Sequence, residues 1–325
     1  MRAVIAALAA NLGIAVAKFV AFLVTGSASM LAESVHSMAD TGNEVLLLIG
    51  RGRSRRGRTA EHPFGFGRER YFYAFVVAVM LFTVGAVFSV YDGIHKIINP
   101  APLNDPIVAY VVLGLSMVLE GLSLRTAIGE ANPERHGRGW TDFIHLTKIP
   151  ELPVVLMEDT AALTGLVFAF LGVLLSQLTH HDQWDGVGSV GVGVVLAFAA
   201  FIVGAETKSL LIGESATDAM SGQIVSALEG GPEGFRVIHL RTSHIGPESL
   251  LVTAKIAVPA ELTAAVLAEG INAAEYRIRE AVPIAETIYL EPDIYRPDAL
   301  DGADPSVEVV TRTRRRGRRA PRPLP

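Results

Sequence analysis

The sequence predicts an α-helical membrane protein with six transmembrane helices, followed by a small α+β domain. Of the 325 residues, 50% are hydrophobic, and the excess of apolar residues is concentrated in the first two-thirds of the chain. A helix needs about 20 mainly apolar residues to cross the roughly 30 Å hydrocarbon layer of a bilayer. Stretches of this kind lie at 3–24, 29–49, 71–93, 107–127, 152–177 and 187–205. We therefore expect a six-helix transmembrane domain over residues 1–205.

The sequence changes character near residue 206, where the alternating and helical patterns of a soluble domain begin. The predicted elements are helices at 216–229 and 260–281 and strands at 235–243, 249–258 and 286–291. They make up a small α+β domain over residues 206–296. Residues 297–325 are rich in Arg and Pro, and we expect them to form a disordered tail.

Basic residues are distributed unevenly among the loops, and this distribution predicts the orientation. Lys and Arg accumulate in loops on the cytoplasmic side of a membrane. The loop after the second apolar stretch contains Arg51, Arg53, Arg55, Arg56 and Arg58. The connections on the other side, at 25–28, 94–106 and 178–186, contain only Lys96. We therefore expect both termini to be cytoplasmic and the protein to be a multi-pass protein of the cell inner (plasma) membrane.

The second apolar stretch carries polar residues at helical spacing. Glu33, His36, Asp40 and Asn43 follow one another at intervals of three, four and three residues, which places them on one face of a helix. A carboxylate buried in a bilayer is costly unless it is paired or hydrated, so such groups usually mark an ion or proton pathway. The imidazole and carboxylate of His36 and Asp40 suit zinc and similar metals. The competing interpretation is a polar helix–helix contact in which these residues satisfy one another.

The fifth apolar stretch contains two adjacent acids, Glu158 and Asp159. Neighbouring residues on a helix point about 100° apart, so only one of them can lie squarely on a site. The chain has no cysteine, so any metal site must use nitrogen and oxygen ligands. A tetrahedral site that combines His36 and Asp40 with one or both of these acids is chemically reasonable.

The pattern resembles the cation diffusion facilitator family, with H-x-x-x-D on helix two and an acidic motif on helix five. Other similar segments are HPFGFGRER at 62–70, LIGESA at 211–216 and HIGPESLLVTAKI at 244–256, and the likeness covers most of residues 1–295. The resemblance implies a four-ligand transport site between helices two and five and export of metal in exchange for protons. It also implies a homodimer and a metallochaperone-like, ferredoxin-type cytoplasmic domain at the C-terminus.

Carried over by position, the resemblance places metal ligands at His36, Asp40 and Asp159. Many family members have a histidine four residues before the aspartate, but this chain has Val155 there. Glu158 is offered instead, as in the zinc-transporter-nine-like branch of the family. Glu158 is thus the first choice for the fourth ligand, with Asn43 or water behind it.

Several other polar positions are weaker candidates for metal sites. Glu61 and His62 stand where a second metal site can lie in the family, but Phe66 replaces a further histidine there. In the soluble domain, His239 and His244 are too few to predict a metal sensor site.

The loop before the sixth apolar stretch and the fourth stretch also carry polar residues. The loop contains His180, His181, Asp182 and Asp185. These residues are candidates for receiving departing metal, although a solvated loop is the more natural interpretation. Glu120, inside the fourth stretch, is expected to pair with Arg125 or to carry protons.

Glycines in the sixth stretch match a nucleotide-binding pattern without its context. Gly186, Gly188 and Gly191 satisfy G-x-G-x-x-G, but they enter an apolar helix and follow no strand, which excludes a dinucleotide site. We expect small residues such as Gly191, Gly193 and Ala197 to allow close helix packing instead.

These features predict a transporter that exports Zn²⁺ from the cytoplasm in exchange for protons. Zn²⁺ is then a transported substrate, and we expect no organic cofactor and no nucleic-acid partner. An exporter of Mn²⁺, Fe²⁺ or Co²⁺ would use the same mechanism with a different selectivity. The alternative from another class is a membrane metallo-hydrolase that uses His36, Asp40 and Asp159 to activate water, which would also need a general base.

Overall fold

The computed structural model describes residues 2–100 and 106–294, and the side chains of residues 11–27, 30–100 and 107–294. The chain divides after Ile212 into two compact units. The predicted disordered tail at 297–325 lies outside the described residues.

The first unit is built from helices. They are α1 (Arg2–Thr25), α2 (Ala28–Ser54), α3 (Glu69–Met80), α4 (Phe88–Ile98), α5 (Pro106–Arg135), α6 (Trp140–Leu146), α7 (Glu151–Thr179) and α8 (Gln183–Ile212). A π-helical segment, Leu81–Val87, joins α3 to α4 without a break. Each predicted apolar stretch therefore lies within a helix, or within the continuous rod of α3 and α4.

Four helical rods in the described part of the chain are long and apolar enough to cross a membrane. They are Glu69–Ile98, Ile107–Arg135, Glu151–Thr179 and Gln183–Ile212. The described apolar part of α1, Asn11–Thr25, is shorter, and α2 carries the acidic face described above together with arginines at its end. The structure therefore supports a multi-span helical fold, while the predicted count of six spans is not confirmed.

The turn between α1 and α2 is specified locally. Gly26 has a φ of 67°, in the left-handed region that glycine adopts without a steric penalty. The side chain of Ser27 accepts a hydrogen bond from the backbone N–H of Met30 and so caps α2. The turn brings α2 back against α1, which sets side chains of the two helices opposite each other.

Glycines allow α8 to pack closely against its neighbours. A Cβ atom at Gly186 would lie 2.7 Å from the carbonyl oxygen of Gly93 in α4, and one at Gly193 would lie 2.8 Å from a backbone oxygen of the same rod. A Cβ atom at Gly172 of α7 would lie 3.0 Å from the Cα atom of Gly188. Such approaches are possible only where side chains are absent, and the prediction of close packing at Gly193 is confirmed.

The second unit is a three-stranded sheet packed against two helices. Its elements are α9 (Asp218–Glu229), β1 (Arg236–Gly246), β2 (Ser249–Ala257), α10 (Ala264–Ala281) and β3 (Thr287–Asp293). The strand order is β1-β2-β3, with β1 and β2 antiparallel and β2 and β3 parallel. Alternate residues of β2, such as Val252 and Ile256, are buried in one cluster with Ile224 of α9 and Ile278 of α10. The predicted small α+β domain is therefore present.

An arginine fastens α10 to the segment that follows α9. Two nitrogens of Arg277 donate hydrogen bonds of 3.1 and 3.0 Å to the two carboxylate oxygens of Glu233, and its Nε donates to the carbonyl oxygen of Ala227. The guanidinium holds the pKa of Glu233 below its usual value because its hydrogen bonds favour the ionised carboxylate.

Candidate metal centre

The polar face of α2 is turned into the first unit. His36 and Asn43 are fully buried, and the side chain of Asp40 is 14% exposed. The opposite face carries the exposed apolar side chains of Met38 and Val45. This amphipathic arrangement follows from the helical spacing, and it places the predicted ligands of α2 on the interior side.

His36 and Asp40 lie next to each other on this face. Nδ1 of His36 is 3.2 Å from Oδ1 of Asp40, as the i and i+4 positions require. The orientation is not that of a hydrogen bond, and both ring nitrogens of His36 lack a hydrogen-bond partner within the described residues. Buried polar atoms in folded proteins are nearly always bonded, so this unbonded imidazole is a candidate ligand for a cation.

Glu158 of α7 completes a continuous series of contacts with α2. Its carboxyl group lies beside that of Asp40 on the wall of one cavity, and its Oε1 accepts a 2.7 Å hydrogen bond from Nδ2 of Asn43. Glu158 is only 6% exposed. Of the two adjacent acids in α7, it is Glu158 that points towards the predicted ligands of α2.

Asp159 lines a small cavity together with Asp40 and Glu158. Its hydrogen-bond partner, however, lies in a different helix. Its Oδ2 accepts a 3.0 Å hydrogen bond from Oγ of Ser123 in α5. The cavity has a volume of about 20 Å³ and is lined by Asn11, Ser37, Asp40, Glu44, Glu120, Val155, Glu158 and Asp159. Within the described residues, no three His, Asp or Glu side chains are gathered closely enough to hold one metal ion. The four predicted ligands are thus neighbours whose donor atoms do not converge on a single point.

Glu33, the first residue of the predicted polar face, forms an ion pair with a lysine of α1. Its Oε2 lies 3.1 Å from Nζ of Lys18 in α1, and both side chains are fully buried. The sequence interpretation overlooked Lys18. It is the only charged residue in the apolar stretch 3–24, and that isolation was the signal that could have revealed it.

Further polar residues of the cavity were not predicted as part of the site. Glu44, one turn beyond Asp40, accepts a 2.7 Å hydrogen bond from Nδ2 of Asn11. Glu120 lines the cavity, whereas Arg125 is exposed, and no ion pair between these two residues occurs in the described part of the chain. The cavity therefore holds more acidic groups than the four-ligand prediction uses.

The weaker candidates have local partners instead. Glu61 and His62 are exposed, and the ring of His62 stacks on that of Phe66 with a centroid distance of 4.5 Å. In the second unit, His239 lies half-buried in β1, whereas His244 is buried there.

The predicted external loop is shorter than the sequence suggested. His180 and His181 are exposed, but Asp185 is buried in the first turn of α8. Its Oδ1 accepts a 2.7 Å hydrogen bond from Oγ of Ser27. Asp185 therefore helps to fix the start of α8 and is not part of a solvated acidic loop.

Acidic groups around a small cavity inside a helical unit, with a buried imidazole next to one of them, are features of membrane proteins that move ions. Residues 4–212 match the family model described as the cation efflux transmembrane domain. The chain belongs to the cation efflux family. Cation diffusion facilitator is another name for this family, so the resemblance seen in the motifs is confirmed. This is a family of transporters, so the metallo-hydrolase alternative is wrong.

Individual relatives narrow the likeness to one branch. The chain is 38% identical over 225 residues to the Xenopus laevis proton-coupled zinc antiporter SLC30A9, mitochondrial, and 35% identical to the Homo sapiens protein of the same name. These matches cover 68% of this chain, and the chain spans about 40% of the length of those relatives. The zinc-transporter-nine-like branch is thereby confirmed.

More distant relatives include plant and bacterial proteins. Metal tolerance protein C4 of Arabidopsis thaliana is 30% identical over 257 residues, which is 78% of this chain and 56% of that protein. The cation-efflux pump FieF of Salmonella arizonae is 25% identical over 246 residues, covering 76% and 77% of the two chains.

The predicted location in the cell inner (plasma) membrane is contradicted by these relatives. The zinc antiporters that match at 35–38% identity are named mitochondrial, and this finding overturns the prediction. The basic loops identify one side of a membrane, but they carry no information about which membrane it is. The multi-pass membrane character of the chain stands.

Proposed function

We propose that the protein moves Zn²⁺ across the membrane in exchange for protons, with His36, Asp40, Glu158 and Asp159 as the metal ligands. The observation that carries this proposal is the buried contact series from His36 through Asp40 to Glu158, which joins α2 to α7 beside a cavity. Asn43 orients Glu158 through its amide and has no need to touch the ion.

The alternative of a purely structural polar contact leaves the imidazole unexplained. In such a contact the buried groups would satisfy one another, yet neither ring nitrogen of His36 forms a hydrogen bond to a described residue. An imidazole with three nearby carboxyl groups matches the ligand chemistry of zinc. Closing these groups around the ion requires Asp159 to leave Ser123, since its oxygen is bonded there.

Exchange with protons follows from the ligand types. Zn²⁺ binds neutral imidazole and ionised carboxylates, so its arrival releases protons from the same groups and its departure allows them to return. A site that faces the two sides of the membrane in turn would therefore carry either the metal or protons. The proton-coupled zinc antiporters among the relatives support the same exchange.

Transport of Mn²⁺ or Fe²⁺ is the second candidate, and the ligand types support it. Three of the four proposed ligands are carboxylates, and oxygen-rich sites also suit Mn²⁺ and Fe²⁺. A relative at 25% identity is named only as a cation-efflux pump. We rank Zn²⁺ first because of the imidazole and because of the names of the relatives at 35–38% identity.

We also propose that the transporter is a homodimer, on the resemblance to the family alone.

Proton flux in liposomes tests the proposal. Purified full-length protein would be reconstituted, and the proton movement driven by matched free concentrations of Zn²⁺, Co²⁺, Mn²⁺ and Fe²⁺ would be recorded. We expect Zn²⁺-driven flux in the wild type, its loss in Asp40→Asn, and unchanged flux in Asp142→Asn, which alters an exposed acid of α6. Folded wild-type protein that shows no flux with any metal would refute the transport function. Full flux in Asp40→Asn would refute the site.

A further inference from the structure

A buried ion pair joins α1 to α2 beside the proposed transport site. Nζ of Lys18 lies 3.1 Å from Oε2 of Glu33 and donates a 2.7 Å hydrogen bond to Oγ of Ser37. Both charged side chains are completely buried. The pair therefore places a positive charge inside the membrane unit, within reach of the polar face of α2.

Glu33 is situated to act as a ligand itself. It lies one helical turn from His36 on the same face of α2, at a spacing where two side chains can share an ion. Its second oxygen, Oε1, forms no hydrogen bond with any described residue. That oxygen faces α7, where a Cβ atom at Gly165 would lie 3.0 Å from it. Glu33 thus presents an oxygen that no described residue binds, one helical turn from the proposed ligand His36.

A carboxylate in these surroundings needs a positive partner, because an unpaired buried charge is strongly destabilising. A divalent cation and a lysine ammonium can both fill this role. The ammonium is a compact point charge at the end of a flexible stem, and it is covalently bound to α1. Unlike a transported ion, it cannot leave the protein.

We propose that Lys18 is a tethered cation that occupies Glu33 and so confines divalent ions to the His36–Asp40–Glu158 end of the face. Lys18 thereby determines the number of ions bound. In its absence, the carboxylate of Glu33 binds an additional divalent cation in place of the ammonium. This inference rests on the proposed transport site, since it concerns the ions that this site excludes.

The number of Zn²⁺ ions bound per chain tests the inference. Full-length protein in detergent would be dialysed against buffered free Zn²⁺, and its metal and protein contents would be measured. Lys18→Met keeps an unbranched side chain without the charge, and we expect it to bind about one Zn²⁺ more than the wild type because Glu33 then lacks its counter-charge. The double variant Lys18→Met/Glu33→Gln removes both charges and should return to the wild-type number.

Two outcomes of this measurement overturn the inference. One is an unchanged Zn²⁺ number in Lys18→Met, which would mean that Glu33 takes up a proton instead. The other is an additional ion that persists in the double variant, which would place it away from Glu33.

Glu33→Gln provides a second measurement that does not depend on the folding of Lys18→Met. The ammonium of Lys18 then has no counter-charge and repels a divalent ion at His36 and Asp40. We expect Zn²⁺ affinity to fall about tenfold, as an uncompensated charge several ångströms away predicts, and to recover in the double variant. Equal affinities of Glu33→Gln and the double variant would refute the role of Lys18.

Asp40→Asn in the same dialysis separates this inference from the proposed function. If the transport site is correct, this variant loses the Zn²⁺ that the wild type binds. Retention of that ion would refute the site assignment, whereas the comparison of Lys18→Met with the double variant still decides the role of Lys18.

Discussion

Asn43 and Glu158 are joined by a 2.7 Å hydrogen bond across the interface of α2 and α7. The amide nitrogen donates to one carboxylate oxygen, and both side chains are buried. The carboxyl group of Glu158 also lies beside that of Asp40 at the cavity. The hydrogen bond from Asn43 therefore fixes the orientation of Glu158 towards α2. The proposed site thus depends on a residue that is not one of its four ligands.

Replacing Asn43 should weaken zinc binding more than it slows transport. Asn43→Ala removes the buried donor to Glu158, and loss of such a hydrogen bond costs about 1–3 kcal/mol. We expect the Zn²⁺ concentration for half-maximal flux to rise about tenfold, with a smaller change in the maximal rate. Flux measured over a Zn²⁺ titration in liposomes gives both quantities. Asn132→Ala, at an exposed position of α5, is the matched control, and equal titrations for the two variants would contradict the role of Asn43.

Ser123→Ala should have the opposite effect. The hydroxyl of Ser123 donates to Asp159, so in our proposal it competes with the metal for this carboxylate. Removing the competitor should tighten Zn²⁺ binding by about threefold to tenfold, in line with the net value of one hydrogen bond. Equilibrium dialysis would measure the change, with Ser116→Ala in the same helix as the control. Weaker binding by Ser123→Ala would show that the hydroxyl orients Asp159 for the metal instead.

The close glycine contacts of α8 allow the effect of Gly→Ala substitutions on stability to be predicted. In Gly186→Ala the new Cβ atom would lie 2.7 Å from the carbonyl oxygen of Gly93, whereas in Gly114→Ala of α5 it would meet nothing within 4 Å. We expect the first substitution to destabilise the protein by about 1–3 kcal/mol, as overpacking does, and the second to have little effect. Thermal unfolding of the two variants in the same detergent checks this. Similar melting temperatures would mean that the backbones of α4 and α8 can separate at little cost.

Arg277 should contribute a pH-dependent stabilisation to the second unit. It lowers the pKa of Glu233 from the ordinary value of 4.5, so its contribution is fully present above that pH. The contribution is lost as the pH falls through the lower value of the folded state. Arg277→Gln should cost about 1 kcal/mol at neutral pH, since the pair is partly exposed, and the deficit should disappear in acid.

Hydrogen exchange of peptides from α10, corrected for the intrinsic effect of pH, would measure this deficit in the full-length protein. Arg279→Gln is the control on the same helix, because Arg279 forms a more exposed pair with Glu275. A deficit of Arg277→Gln that stays constant down to strongly acidic pH would contradict the electrostatic explanation.

Much of the fold could be predicted because it is determined by local properties of the chain. Apolar length locates the helices of the first unit, and alternation of residues locates the strands of the second. The proximity of His36 and Asp40 could be predicted for the same reason, since one helical turn separates them. The ends of elements were less accurate: α8 continues to Ile212, past the predicted limit at 205, because Glu206 and Lys208 are compatible with a helix although they are not apolar.

Partners from different helices could not be predicted in this way. Glu33 lies on the same face as His36, but its ion pair with Lys18 depends on how α1 packs against α2. Asp185 belonged to a predicted loop, yet Ser27 holds it in a buried helix start. Such interaction partners are determined by tertiary packing, and helical periodicity contains no information about it.

The π-helical segment Leu81–Val87 sets the rotational phase between α3 and α4. Its hydrogen bonds span five residues where those of an α-helix span four, so each residue advances the chain by a smaller angle. The phase it produces turns Gly93 towards Gly186 and lets the carbonyl oxygen of Ser89 accept a hydrogen bond from Ser189. If the same seven residues formed ordinary α-helix, α4 would be rotated by roughly 100° relative to α3, whereas an α-helix one residue shorter would approximately keep the phase. Chain length at this point, and not only residue type, is therefore part of what makes α4 and α8 complementary.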